Sequence, residues 1–329
     1  MRTTRRNISA ALLGALVLVP LGGARAADWP TRPVRVIVPF GASGVTDIVT
    51  RIVFDKVGQQ LGQQFVVDNR PGAGGTIAVD AAVHAAPDGY TFIMADPSGS
   101  LPANVTLYPH LKYDPRKDLT PVAILGTTGA AVTVPSSTPP KTLQELVDLA
   151  KQKPGELTYV SVGNGTPGHL NGELFSRLVG IKAVHVPYRA MSNAVTDMVA
   201  GRVSFWIVPI PGLLQHIRSG EVRALAVAGD ARSPDLPGVP TVAETGLGNF
   251  DASTTYALFG PAGTPKDIGA RMYDEIKKAI DSADVQDKLR KAGVEPKMGT
   301  PEQVTKMLEE RTPQWAEVII SAGIRSEAR

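Results

Sequence analysis

Val34-Arg35-Val36-Ile37-Val38-Pro39-Phe40-Gly41-Ala42-Ser43-Gly44-Val45-Thr46-Asp47-Ile48-Val49-Thr50 is the stretch on which the fold turns. Val34, Val36, Ile37 and Val38 form a short β-branched run suited to a buried strand. Pro39 to Gly44 interrupts it, and Ile48, Ile52, Val57 and Leu61 then recur at helical spacing. The pattern predicts strand, tight loop, helix. A loop that ends on a helix N-terminus aims several backbone N–H groups and the positive end of the helix dipole at one point, which suits an anion such as a carboxylate.

Outward from this stretch the same punctuation recurs. Gln64 to Asp68 reads as a second strand and Gly72-Ala73-Gly74-Gly75 as a turn into a helix from Ile77 to Ala86. Tyr90 to Ala95 is a third strand, running into Asp96-Pro97-Ser98-Gly99-Ser100. Strands alternating with helices at this spacing predict an α/β fold with a doubly wound, mainly parallel sheet, whose ligands lie beyond the carboxyl ends of the strands. Phe40 to Thr46 and Asp96 to Ser100 are therefore expected on one rim. A second unit is expected from Val122, after the polar segment Tyr113 to Asp118. In it, Thr142 and Glu145 form a capping-box pattern. Tyr159 to Val162, Gly163-Asn164-Gly165-Thr166-Pro167-Gly168 and the stripe Leu170, Leu174, Leu178 then repeat the opening strand, loop and helix. Arg232 to Pro240 reads as a proline-rich crossing back. Gly263-Thr264-Pro265 and Gly299-Thr300-Pro301 each offer a threonine cap and a proline in the first turn of a late helix. The expected division is residues 28–122 with 233–329 in one lobe and 123–232 in the other.

With 43% hydrophobic and 20% charged residues, the 329-residue chain has a globular balance and room for two domains. Residues 1–26 carry Arg2, Arg5, Arg6 and Arg25 and no acid. Their apolar run, Ala10 to Leu21, is too short to span a bilayer, and Ala24-Arg25-Ala26 is a small-x-small site, so the segment reads as a cleavable secretory signal. Arg5-Arg6 leaves both Sec and twin-arginine export open. Without the segment, 30 basic residues face 31 acidic, so the formal +3 becomes −1 and no basic field remains for nucleic acid. Cysteine is absent from the sequence, which excludes a disulfide framework and a lipid-attachment thiol. The expected setting is the periplasm, as a soluble protein after cleavage.

Catalytic and nucleotide motifs fail on inspection. Gly72 and Gly74 have G-x-G spacing, but Ile77 stands where the third glycine belongs, so a turn or packing role is the better account. Ser43 misses the nucleophile elbow because Val45 replaces its second glycine. His84, His110, His169, His185 and His216 show no metal-ligand spacing, so neither metal nor cofactor is expected; His169, just after the second glycine loop, is the one histidine near a candidate site. Thr46, Asp47 and Thr166 fit helix caps as well as ligand contacts, and Asp47 stands four residues before Arg51, a pair worth a few tenths of a kcal/mol. Ser43, off any hydrophobic stripe, has the stronger case for ligand contact. Phe40, Tyr188 and Trp206 suit either packing or the wall of an apolar pocket. Arg189 suits either a carboxylate ligand or a pair with Asp197. An enzyme acting on a carboxylate through Ser43 or His169 is the rival class, and the sequence offers it no oriented base. A sensor's ligand-binding partner is the other alternative.

Several motifs, in order, carry a resemblance. They are Trp29-Pro30-Thr31-Arg32-Pro33, Val38-Pro39-Phe40 with Gly44 and Asp47, Asn69-Arg70-Pro71-Gly72-Ala73-Gly74-Gly75, Ala86-Pro87-Asp88-Gly89-Tyr90-Thr91, and Tyr113-Asp114-Pro115 with Asp118. Gly163-Asn164-Gly165-Thr166, His185-Val186-Pro187-Tyr188-Arg189, Arg223-Ala224-Leu225-Ala226-Val227, Pro240-Thr241-Val242-Ala243-Glu244-Thr245-Gly246 and Gly260-Pro261-Ala262-Gly263-Thr264-Pro265 complete them. Together they resemble the Bug or TctC-type periplasmic solute-binding receptors of tripartite tricarboxylate transporters, across residues 29–324. The resemblance implies a two-lobed Venus-flytrap of two α/β lobes that closes on a small carboxylate, a dicarboxylate, tricarboxylate, acidic amino acid or aromatic acid, and delivers it to membrane subunits. It implies no catalysis, and the protein is expected to act as a monomer. Carried onto this chain, the binding residues are Phe40, Ala42, Ser43, Gly44, Thr46 and Asp47 in the first lobe, with Ser98 on the same rim. Gly163, Asn164, Gly165 and Thr166 follow in the second lobe, and Tyr188, Arg189 and Asn193 form a third wall. Two departures stand out: Ser43-Gly44 where the family has paired glycines, and Ala190 where it has glycine. Both reshape the pocket, so a relative's ligand does not transfer directly.

Overall fold

The computed structural model describes residues 29–325, Arg189 excepted, so the expected signal segment and that arginine lie outside the described residues. The first half runs β1 (Val34–Val38), α1 (Val45–Leu61), β2 (Phe65–Asn69), α2 (Thr76–Val83), β3 (Thr91–Ala95), α3 (Ser100–Leu107), α4 (Pro115–Asp118) and β4 (Leu119–Thr128). Then come β5 (Ala130–Pro135), α5 (Leu143–Gln152), β6 (Thr158–Ser161), α6 (Pro167–Val179), β7 (Val184–Pro187), α7 (Met191–Val199), β8 (Trp206–Pro209), α8 (Ile210–Arg218) and β9 (Val222–Ala228). The chain ends with β10 (Thr254–Pro261), α9 (Lys266–Asp281), α10 (Ala283–Lys291), β11 (Glu295–Gly299) and α11 (Pro301–Ser321).

The six-stranded sheet has the order β11-β4-β10-β3-β1-β2. β1 is parallel to β2 and β3, while β10 is antiparallel to β3 and β4. β1 to β4 therefore share one direction. In the second lobe β5 is antiparallel to its neighbours β8 and β9, β6 is parallel to β7, and a parallel bridge from Tyr159 to Phe205 ties β6 to the approach of β8. β6 to β9 thus share one direction, opposite to β5. The first lobe is built on the six-stranded sheet and the second on a three-stranded sheet, β8-β5-β9, and a two-stranded sheet, β6-β7, joined by that bridge; helices flank both, the two-lobed α/β architecture the sequence predicts.

Strand direction positions the site. Gly129 alone separates β4 from β5, so the chain passes straight from one sheet into the other. Because β4 points at this crossing, so do the carboxyl ends of β1 to β3; because β5 leaves it, the carboxyl ends of β6 to β8 point back. The loops after the parallel strands of the two lobes therefore face each other, where open α/β sheets bind ligands.

Period-two alternation fills the cores. Phe92 and Met94 join Val36, Val53, Phe54 and Met272 on one face of the first sheet, whereas Ile93 and Ala95 join Ile37, Val79, Phe259 and Leu308 on the other. The second lobe is built on Val132, Leu146, Tyr159, Phe175, Phe205 and Leu225. Val122, expected to open the second unit, falls inside β4. The polar stretch before it is no linker, since Tyr113 is buried and Asp114 caps the single turn of α4. Residues beyond Arg232 still pack on the second core. Val242 donates to the Val227 carbonyl, and Val242, Phe250 and Ala252 complete the second core. Local signals fare better at helix ends. Thr300 and Gln303 form a full capping box, and Thr142 accepts from the Glu145 amide. Thr264, however, donates back to the Pro261 carbonyl instead of capping α9.

Candidate functional site

On the facing rims, the N-termini of α1, α6 and α7 are among those that lack a side-chain cap. Gly44 stands before α1 with φ −71° and ψ 160°, and Thr166 stands before α6 with nearly the same angles, φ −73° and ψ 161°. Ala190 stands before α7, also without a side-chain cap. Their first-turn amides, with the helix dipole behind them, are offered to the cleft. The Thr166 hydroxyl turns back to the Gly163 carbonyl at 2.7 Å. α3 differs because it carries its own anion. The buried Asp96 carboxylate accepts from the amides of Ser98 (2.9 Å), Ser100 (3.3 Å) and Thr255 (3.3 Å) and from the Ser98 hydroxyl (2.5 Å). Burial pushes the Asp96 carboxyl up from the usual range, against the pull of these donors. The Ser98 hydroxyl oxygen also lies 3.0 Å from the Ser253 carbonyl, and the side chain is buried at the crossing.

Asp47 also faces inward. Its carboxylate is 2% exposed and accepts from the Ser43 amide (3.0 Å), Arg51 Nε (3.0 Å) and Asn69 Nδ2 (3.0 Å), while Asn69 also holds the Phe40 carbonyl. The Arg51 hydrogen bond, helped by the Ser43 amide and Asn69, holds the Asp47 carboxyl below the usual range. The pair expected on the surface is thus the clasp that shapes the loop. Within it Ser43 sits in the left-handed region, φ 68°, where an L-residue costs about 1–2 kcal/mol. Ser43→Gly should therefore raise stability in a thermal melt by about 0.5 kcal/mol, after subtracting glycine's extra chain entropy. A loss would mean that the hydroxyl itself stabilises the loop.

The second-lobe loop rests on buried polar groups. The Ser161 hydroxyl donates toward the Gly163 carbonyl (2.9 Å), accepts from the Gly163 amide (3.1 Å) and lies 2.6 Å from His185 Nε2. The Gly165 amide donates to His169 Nδ1 at 3.1 Å. Ser161 and His185 have the chemistry of a nucleophile and a base, but Ser161 is fully buried. Burial, with His185 alongside, lowers the His169 pKa to about 4. Because the folded value lies below the unfolded one, the unfolded chain takes up the proton first. Stability should fall by up to about 3 kcal/mol as pH drops from 6.5 to 4, checked by urea melts across that range.

Around these loops Phe40 (39%), Val162 (41%) and Met191 (39%) stand exposed, apolar groups beside the offered amides, with Ala42 and Asn193 exposed too. The Tyr188 amide binds the Ser161 carbonyl, and its hydroxyl donates to Asp197, which also takes Arg202. Trp206 is core. Gly165 lies against the first lobe: a Cβ there would be 3.4 Å from Leu107. Two cavities, of about 680 and 510 Å³, lie on the β11 side of the crossing. Much of their charge is already paired, Asp251 with Arg311 and Glu295 with Arg290. At α8, beside the second cavity, Pro211 lacks an amide and Gly129 takes that of Ile210. They do not offer the free amides found at the facing loops. Sequence inspection missed Asn69, Ser161 and His185 as loop supports; the first and last lie in quoted motifs, but their partners are far along the chain.

The chain matches the family described as "Tripartite tricarboxylate transporter family receptor" over residues 49–324. It is 34% identical to protein BugT of Bordetella pertussis over 297 residues, covering 90% of this chain and 91% of that one. Among solved structures, MatC of Rhodopseudomonas palustris with bound malate is 33% identical, with TM-score 0.74, covering 88% of this chain and 100% of MatC. An R. palustris protein solved with adipate is 34% identical, with TM-score 0.76, covering 91% and 99%. With the facing, uncapped loops already in place, these matches show that the chain belongs to the tripartite tricarboxylate transporter receptor family, a family of periplasmic solute-binding receptors.

Proposed function

We propose that the protein captures a small carboxylic acid between the loop Phe40 to Asp47 and the loop Gly163 to Thr166, with Tyr188 to Asn193 as a third wall, and hands it to transporter membrane subunits. The observation that carries this reading is the pair of facing helix N-termini, alike in cap geometry and both free of side-chain caps. Two such ends suit a diacid, one carboxylate to each. Malate and adipate, bound by the two relatives, are both diacids. Ser43 adds a hydroxyl to the first loop, while Asp47 and Ser98 act behind the loops rather than on the ligand. In this reading residues 29–128 with 254–325 form one lobe and 129–253 the other, and closure about the crossing strands excludes water and strengthens the ligand's hydrogen bonds.

Calorimetric titration against a panel of dicarboxylates, tricarboxylates, acidic amino acids and aromatic acids tests this. Ser43→Ala and Thr166→Ala are each expected to weaken the best ligand by about 1 kcal/mol, roughly fivefold. Unchanged affinity in both would sink the assignment, and recovery of a chemically altered ligand would favour an enzyme.

A further inference from the structure

Two imidazoles lie under the second-lobe loop, stacked 3.7 Å apart between ring centroids and within 10° of parallel. Each holds one of the loop's left-handed glycines. The amide of Gly165, φ 71°, donates to His169 Nδ1, and Gly163, φ 132°, is bound on both sides by Ser161, whose hydroxyl meets His185 Nε2. A nitrogen that accepts from an amide carries no proton. His169 is therefore neutral, with its proton on Nε2. Protonation would set an N–H against the Gly165 N–H and place a charge face to face with the second imidazole.

We propose that His169 is the positioning residue of the second-lobe binding loop, and that its neutral ring, by accepting the Gly165 amide, holds the loop in its binding shape and releases it on protonation. This rests on the reading of Gly163 to Thr166 as ligand-binding. The groups facing the ring offer no relief of a positive charge. From β7 comes His185, itself held below the usual histidine range by burial, and from β6 comes Tyr159, whose ring centroid is 6.2 Å away. One turn along α6 is Glu173, whose carboxylate is engaged by the Tyr159 hydroxyl. His169 itself is only 7% exposed, so water does not reach in to solvate a charge.

Hydrogen–deuterium exchange of the 163–170 segment, corrected for intrinsic rate, tests the lock without any ligand. Wild-type protection is expected to fall at least tenfold between pH 7 and pH 4. His169→Asn puts an amide oxygen near the place of Nδ1, so protection should persist and lose its pH dependence. His169→Leu should be unprotected throughout. Ring ¹⁵N shifts of the wild type at pH 7 should show a bare Nδ1, a readout that survives even if the leucine variant fails to fold. A protonated Nδ1, equal protection in wild type and His169→Leu, or a retained pH dependence in His169→Asn overturns the proposal. With malate as probe at pH 7, His169→Leu should weaken binding at least fivefold and His169→Asn should recover most of it. An unlocked loop with unchanged malate affinity overturns the binding reading of the loop and leaves the lock standing.

Discussion

Asp96→Ala is expected to remove about 3 kcal/mol of unfolding free energy. The carboxylate sits where β3 ends and β10 begins, and it gathers the amides of Ser98, Ser100 and Thr255. Alanine leaves these N–H groups without an acceptor at a site where Ser98 and Thr255 are buried, and each such orphan costs about 1–3 kcal/mol. Part of the loss is offset because burial already penalises the charged carboxylate, as its raised pKa shows. The net stays near the upper end for a single substitution. Asp96→Asn keeps one oxygen but turns an NH₂ toward the remaining donors, so it should lose about half as much. Urea denaturation of the three proteins gives the ranking; a loss below about 1 kcal/mol for alanine would show that water takes the carboxylate's place. Because Thr255 lies at the start of β10, beside the crossing strands, the same variant should loosen the crossing.

Asp47→Ala is expected to lower stability by about 2–3 kcal/mol and to weaken ligand binding at least tenfold. Arg51 is half exposed and can turn to water, so its loss counts for little. Asn69 and the Ser43 amide cannot do so as easily, and the amide's bond to Asp47 is what holds Ser43 at φ 68°. Once released, Ser43 should relax toward negative φ and take the first-turn amides of α1 out of register with the opposite loop. A double-mutant cycle isolates this strain: with Ser43→Gly already present, Asp47→Ala should cost about 1 kcal/mol less, because glycine adopts the left-handed angle unaided. Additive effects would place the clasp's role elsewhere.

The two substitutions mark where the sequence was legible. Strand, loop and helix from Val34 to Leu61 follow from β-branched spacing and a glycine-rich break, and their echo at Tyr159 to Leu178 appears as expected. The orientation of polar groups in those loops was not legible. Asp47 and Arg51 are visible as an i, i+4 pair, yet nothing local says that the carboxylate turns under the loop to meet Asn69, 22 residues away. Ser98 looks like a rim hydroxyl until Thr255, 157 residues on, donates to it. That Val122 lies inside a strand was hidden for a related reason. Polar composition marks solvent contact, and a helical turn capped by Asp114 at the base of a strand is as polar as a linker.

By itself the sequence determined the element types, the paired anion-ready loops and the family, because all three depend on patterns within a few turns or on ordered motifs. Only the tertiary structure decided which distant partners the loop hydroxyls and carboxylates meet. It also decided that the chain passes from one sheet to the next at Gly129 and that His169 lies against His185. Those facts depend on strand direction and on hydrogen bonds between distant segments, which local spacing does not encode.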